Sequence, residues 1–158
     1  MEDKIKTYLG GGWFSLSQIK ILDEVESLLS EYSNLKVYSP RKQTQFKSGI
    51  KPSREICRIV FNNNISAIEN CDLMIASTEG KDLGTSFEMG VVYTLKKPII
   101  AVFFSEMPYN LMLEESSIGG VARSLMQLTL MLDIIKDFGL EKYLKENANT
   151  FRYQGLIE

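Results

Sequence analysis

The sequence predicts a doubly wound α/β fold, an all-parallel sheet of about five strands with helices on both faces. Short apolar runs alternate with helical periodicity in the order β-α-β-α-β-α-β. The run over residues 99–104 is apolar throughout, as suits a central parallel strand buried on both faces.

The elements follow in order. Residues 5–9 read as a strand closed by Gly10-Gly11-Gly12. Ser15 or Ser17 can cap a helix with Leu16, Ile19, Leu22, Val25, Leu28 and Leu29 at helical spacing. Residues 35–38 form a second strand that Pro40 ends, and the polar stretch 39–52 reads as a loop of functional length. Ser53 can cap a helix that turns Ile56, Ile59, Val60, Ile65 and Ile68 inward. Residues 73–76 form an apolar strand. A polar loop over 77–83 leads to a helix over about 85–95, and Pro98 opens the next strand. Residues 118–123 are a last strand candidate, 124–137 a Met/Leu-rich helix, and the chain from Asn147 reads as irregular. The Rossmann and flavodoxin-like sheets share this alternation.

The 158 residues suit a single domain over 1–158, with 44% hydrophobic and 24% charged residues. No apolar run is long enough to span a bilayer, and Met1-Glu2-Asp3-Lys4 is no signal peptide, so a cytoplasmic location is the default and no membrane partner is expected. A net charge of −2 without a basic stripe argues against a nucleic-acid polymer as partner. Cys57 and Cys71 lack metal-ligand spacing and read as buried free thiols. The chain has no histidine, which removes Ser-His-Asp and Cys-His catalysis and imidazole metal sites. Catalysis is left to carboxylates, tyrosines, lysines or backbone groups.

Ligands of an open parallel sheet bind beyond the carboxyl ends of its strands. Loops 10–14, 41–51 and 77–86 meet there, with Glu79, Asp82 and Glu88 as the acidic residues. Singly, these features are ordinary. Gly10-Gly11-Gly12 is not a G-x-G-x-x-G turn. Asp82 can be a loop residue or a helix cap, and Glu88 in a first helical turn can complement the macrodipole. Met126 and Met131 suit core or subunit interface, and Lys96-Lys97 a solvated helix end. Asp72, at the edge of an apolar strand, stands out because burying a lone carboxylate is costly.

In combination they say more. Asn70-Cys71-Asp72, an apolar strand, and then Asp82-Leu83-Gly84-Thr85-Ser86-Phe87-Glu88-Met89-Gly90 resemble the nucleoside 2-deoxyribosyltransferase family, where an aspartate precedes the strand and D-x-G-x-x-x-E-x-G carries the nucleophile. The resemblance extends to Tyr8-Leu9-Gly10, Trp13-Phe14, Tyr38-Ser39-Pro40-Arg41, Gln45 and Asn110-Leu111-Met112, in matching order over residues 5–113. It fades beyond Gly119. Family members often place an aromatic tail near the pocket, whereas this chain ends Gly155-Leu156-Ile157-Glu158.

The resemblance implies transfer of 2-deoxyribose from a deoxynucleoside to another nucleobase, without cofactor or metal. Glu88 would trap the oxocarbenium-like sugar as a glycosyl ester that a second base attacks, with net retention. It further implies that Tyr8 hydrogen-bonds Glu88 and that Asp72 is the general acid, its pKa raised by apolar surroundings or by Glu88. Asp82 would accept the sugar 5′-hydroxyl, joined by Asn110 of a neighbouring subunit with Met112 beside it. Trp13 and Phe14 would wall the base, Gln45 would contact its edge, and Gly11 and Gly84 count among the substrate-binding positions. The expected assembly is a homo-oligomer with shared sites, which the apolar girth of the helix over 125–135 also suggests. Two other readings stand beside this one: a deoxynucleoside 5′-monophosphate N-glycosidase, and a non-catalytic nucleotide-sensing domain.

Overall fold

A computed structural model describes residues 3–43 and 51–158. Five parallel strands, β1 (Ile5–Gly11), β2 (Leu35–Tyr38), β3 (Leu73–Ser77), β4 (Ile99–Val102) and β5 (Val121–Ala122), form one sheet in the order β2-β1-β3-β4-β5. The order reverses between β1 and β3, the switch point where crevices open in such sheets.

Side chains alternate across the strands and build two apolar layers. Leu9, Leu73, Ile75, Ile100 and Val102 face α1 (Leu16–Ser30), α6 (Leu125–Phe138) and α7 (Leu140–Glu146). Tyr8, Met74, Ala76, Ile99 and Ala101 face the other side, with Ile68 of α3 (Arg54–Asn70) and Met89 and Val92 of α4 (Leu83–Thr94). A short helix, α2 (Pro40–Gln43), follows β2 where the sequence reads as loop, and α5 (Leu111–Ser116) follows β4.

The helix starts have local causes. Ser15 caps α1 with a full capping box, Ser53 caps α3, Asp82 caps α4 and Ser124 caps α6. The Asp82 cap starts α4 two residues before the expected position. Residues 140–151, given no regular structure from sequence, form α7 and a 3-10 turn over Ala148–Phe151. Beyond them, Tyr109 and Ile157 form a parallel bridge that holds the tail beside α5.

Three expectations need correction. Of the inward-facing apolar residues expected on α3, Ile68 is buried, but Ile56 and Ile59 are exposed. The helix touches the sheet at its C-terminal end and leaves the rest of its apolar face uncovered among the described residues. Cys57 lies on that open stretch and is exposed, whereas Cys71 is buried. Lys97 is no solvated helix end: its Nζ donates to the carbonyls of Ile68, Glu69 and Cys71, closing the C-terminus of α3.

Candidate active site

The face of β1 that carries Tyr8 and Gly10 forms the floor of the site. A Cβ on Gly10 would lie 2.9 Å from Glu88 Oε2 and 2.8 Å from Met74 Cε, so the absent side chain makes the space that a carboxylate fills. Gly11 points the other way, where a Cβ would meet Leu22 and Ser77. Gly10, not Gly11, is thus the glycine that faces Glu88.

Glu88 is the sixth residue of α4, in its second turn rather than its first. The macrodipole weakens beyond the first turn, and the expected bias toward the ionised form is overridden. Burial pushes the Glu88 carboxyl up to about 7, and the charge of Asp82 adds to the rise, while the hydrogen bond from Tyr8 opposes it. Tyr8 is fully buried and donates its hydroxyl to Glu88 Oε1 at 2.7 Å. Its own pKa is driven far above the usual phenol range by burial and by Glu88, so it remains a donor. The two carboxylate oxygens are therefore unequal. Oε1 is held by Tyr8, and Oε2 takes no hydrogen bond among the described residues.

Tyr38, at the end of β2, stacks on Tyr8 with ring centroids 5.7 Å apart. Its hydroxyl donates to Asn64 Oδ1 of α3 at 3.2 Å. Burial and the charge of Glu88 raise the Tyr38 pKa as well. A line of contacts, with hydrogen bonds at its two ends and ring stacking between, thus runs Glu88–Tyr8–Tyr38–Asn64 from α4 to α3 along one face of the sheet. Asn64 has no sequence signal beyond its place among three consecutive asparagines, and reading the chain linearly misses it.

Asp82 caps α4 six residues before Glu88. Its Oδ2 accepts from the Thr85 amide and the Thr85 hydroxyl, both at 2.7 Å, and a Cβ on Gly84 would lie 3.3 Å from it. Ser86 donates its hydroxyl to the Asp82 carbonyl at 2.9 Å. Trp13 and Phe14 follow β1, stacked on each other at 5.4 Å, with Phe14 largely exposed. Gln45 lies outside the described residues.

Two groups of expected site residues lie elsewhere. Asp72 is exposed at the amino end of β3, where its Oδ2 accepts the Lys6 amide at 2.8 Å. Gly10, beside Glu88, pairs with Ala76, so Asp72 is four residues down the strand, roughly 13 Å away at the usual rise per residue. It therefore ties β1 to β3 at the wrong edge of the sheet for a general acid. Asn110 Oδ1 caps α5 by accepting from Met112 and Leu113, and Met112 is exposed. Both line a cavity of about 360 Å³ with Leu83, Ser86 and Tyr109. Glu88 is not part of its wall.

The sequence model of the family described as nucleoside 2-deoxyribosyltransferase matches residues 7–126. The chain belongs to that family. A 2-deoxyribosyltransferase of Bacillus psychrosaccharolyticus is 26% identical, with a TM-score of 0.67 over 78% of this chain and 89% of that one. A Leishmania mexicana 2-deoxyribosyltransferase (19% identity, TM-score 0.59, 85% and 98% covered) and a Clostridium botulinum CMP N-glycosidase (21%, 0.53, 81% and 98%) share the fold. No curated protein matched the sequence. The family acts on nucleosides and nucleobases, and its D-x-G-x-x-x-E-x-G segment here runs from the α4 cap at Asp82 to Gly90. Among the described residues no cluster of histidine, cysteine, aspartate or glutamate is arranged to hold a metal, and no helix is long and apolar enough to cross a membrane.

Proposed function

We propose that this member of the nucleoside 2-deoxyribosyltransferase family exchanges the nucleobase of a 2′-deoxynucleoside, with Glu88 as covalent nucleophile. The observation that carries this reading is the division of labour within the Glu88 carboxylate. Tyr8 fixes Oε1, which sets the rotamer and leaves Oε2 free to attack C1′ as the bond to the base breaks. The electron pair of that bond leaves with the base, and a deoxyribosyl ester of Glu88 remains. The departed base takes up a proton from solvent, and a second base attacks the ester carbon, gives up its own N–H proton to solvent and releases the carboxylate, so the sugar keeps its configuration. Burial raises the carboxyl to about 7, and this higher basicity strengthens the nucleophile once it is ionised.

Asp82 is the group we assign to the sugar 5′-hydroxyl. Its Oδ2 is committed to Thr85, which leaves Oδ1 to accept. The same bonds weigh against a 5′-monophosphate substrate. The hydroxyls of Thr85 and Ser86 are both turned to Asp82, and a phosphate would meet the Asp82 charge instead of free donors. For the departing base, Asn64 takes the place that sequence reading gave to Asp72. Its amide Nδ2 makes no hydrogen bond among the described residues and can donate to a base nitrogen without transferring a proton. Trp13 and Phe14 offer an aromatic surface for the base. Asn110 and Met112 are assigned to a neighbouring subunit's pocket in a homo-oligomer.

Incubation with 2′-deoxyinosine and free adenine, followed by chromatography, tests the reading. Base exchange yields 2′-deoxyadenosine, hydrolysis yields only free sugar and hypoxanthine, and a sensing domain yields nothing. Either of the last two outcomes overturns it. Subunit sharing is tested by mixing Glu88→Ala and Asn110→Ala proteins under exchange conditions, where activity should return. No recovery despite proven exchange contradicts it.

A further inference from the structure

The loops that carry the sugar and base contacts are fastened together by one buried side chain. Gln18, in the first turn of α1, is 6% exposed, and both ends of its amide are used. Oε1 accepts the amides of Phe14 and Ser15 at 3.1 Å each, and Nε2 donates to the Glu79 carbonyl at 3.1 Å. The first two bonds hold the segment after β1 that carries Trp13 and Phe14. The third reaches the segment between β3 and α4, three residues before Asp82. The side chain of Glu79 continues the chain of contacts by accepting the amides of Phe104 and Ser105 beyond β4. Backbone crowding shows how closely the segments meet at this point. A Cβ on either Gly12 or Gly80 would lie 2.7 Å from Gln18 Nε2, and one on Gly12 would lie 3.2 Å from Asp82 Cβ. Gly80 also has a φ of +71°, so its place in the contact suits glycine doubly.

We propose that Gln18 is a positioning residue for deoxyribosyl transfer: with Glu79, it pins the loops after β1, β3 and β4 to one another and so fixes the distance between the aromatic base wall and Asp82. The inference rests on the proposed transferase reading for its effect on rate, though not for its effect on the loops. Capping α1 needs only Gln18 Oε1, and a capping box works equally with glutamate at this position. The bond from Nε2 to Glu79 adds nothing to the cap, yet it is the bond that joins the segment after β1 to the segment before Asp82. A shift of about 1 Å in a substrate-holding group can cost on the order of 100-fold in rate, which is the scale on which such a clamp acts.

The clamp and the cap separate by mutation. Gln18→Glu keeps the acceptor for Phe14 and Ser15 and replaces the donor to Glu79 with an oxygen facing an oxygen. Ser15→Ala weakens the cap and leaves the cross-loop bond in place. Trp13, the chain's single tryptophan, reports on its loop through acrylamide quenching of its fluorescence. Expected for Gln18→Glu are a folded protein, stronger quenching of Trp13 and a loss of roughly 10- to 100-fold in kcat/KM with deoxynucleoside. Ser15→Ala should lower Tm while keeping wild-type quenching and wild-type kcat/KM. Should Gln18→Glu not fold, Gln18→Met, which removes both the cap acceptor and the cross-loop donor without placing a charge, is measured in its place against Ser15→Ala, which loses the cap alone. Wild-type quenching and wild-type kcat/KM in the folded Gln18 variant would reduce Gln18 to a helix cap and overturn the proposal. If the wild-type protein exchanges no bases, the transferase reading fails by itself, and Trp13 quenching alone decides whether the loops are clamped.

Discussion

Asp72 and Glu88 flank the same apolar strand, and they occupy opposite chemical worlds. Asp72 stands in solvent at the amino end of β3 and receives a main-chain amide. Glu88 lies at the carboxyl end, largely out of water, held by one phenol and raised to about 7. Both are carboxylates near apolar sequence, and that nearness is no guide to their setting. What separates them is the direction of a parallel strand. The residue that enters the strand lies at the edge away from the crevice, and the helix that follows the strand returns over the crevice itself. Glu88 is desolvated because Gly10 and Tyr8 leave a recess of its size. Asp72 has no such recess.

The contrast can be broken first at Glu88. Glu88→Gln keeps the shape and removes the charge, and kcat for base exchange should fall by at least about 1,000-fold, the scale of losing a nucleophile or its activation. Retention of near wild-type turnover would place the chemistry elsewhere. The Tyr8 bond is the next target. Tyr8 lowers the Glu88 pKa, so Tyr8→Phe should move the rising limb of the kcat/KM–pH profile to higher pH. A hydrogen bond to a charged group contributes about 1.5–3 kcal/mol, equivalent to a displacement of roughly one to two pH units. The loss is then tenfold or more at pH 6 and smaller at pH 9. A pure scaling of the profile without displacement would show that Tyr8 does not tune the carboxylate.

The Glu88 proton also bears on stability. The folded Glu88 pKa of about 7 exceeds its ordinary 4.5, so the folded state binds this proton more tightly than the unfolded chain. Its contribution is fully present below pH 4.5 and is lost as pH rises through 7. Glu88→Gln should therefore gain stability over wild type between pH 5 and pH 8, by on the order of 2–3 kcal/mol. Urea denaturation at the two pH values checks this, and a constant difference would contradict the desolvated carboxylate. The smallest effect is reserved for Asp72. Asp72→Asn should leave kcat/KM within about threefold and cost stability of about 1 kcal/mol, the scale of one hydrogen bond. A large rate loss confined to poor leaving groups would return Asp72 to catalysis.

Much of the fold is legible because local and global signals agree. β-strand positions follow from short apolar runs, and the capping residues Ser15 and Ser53 each stand at the start of a helix. The carboxyl-edge loops can be named from strand order alone. Errors arise where one property must be divided between two environments. Ile56 and Ile59 have helical spacing like that of Ile68, but α3 covers the sheet only at its far end. Lys97 follows another lysine and reads as solvated, until three carbonyls from a helix 26 or more residues earlier converge on it. Asn64 is invisible because its contact is with Tyr38, itself stacked on Tyr8, residues brought near it by the sheet. Gln18 has the same history: its bond to Glu79 spans 61 residues.

Glu88 is proposed to carry the sugar between bases. Acid quench of the protein after brief exposure to 2′-deoxyinosine without acceptor base, followed by proteolysis and mass spectrometry, tests it at the bond itself. The expected result is one deoxyribosyl increment on the peptide spanning Asp82 to Gly90, located on Glu88, absent from Glu88→Gln and removed when adenine is added before the quench. A deoxyribosyl group on another residue, or rapid base exchange with no adduct trapped at any quench time, would contradict it.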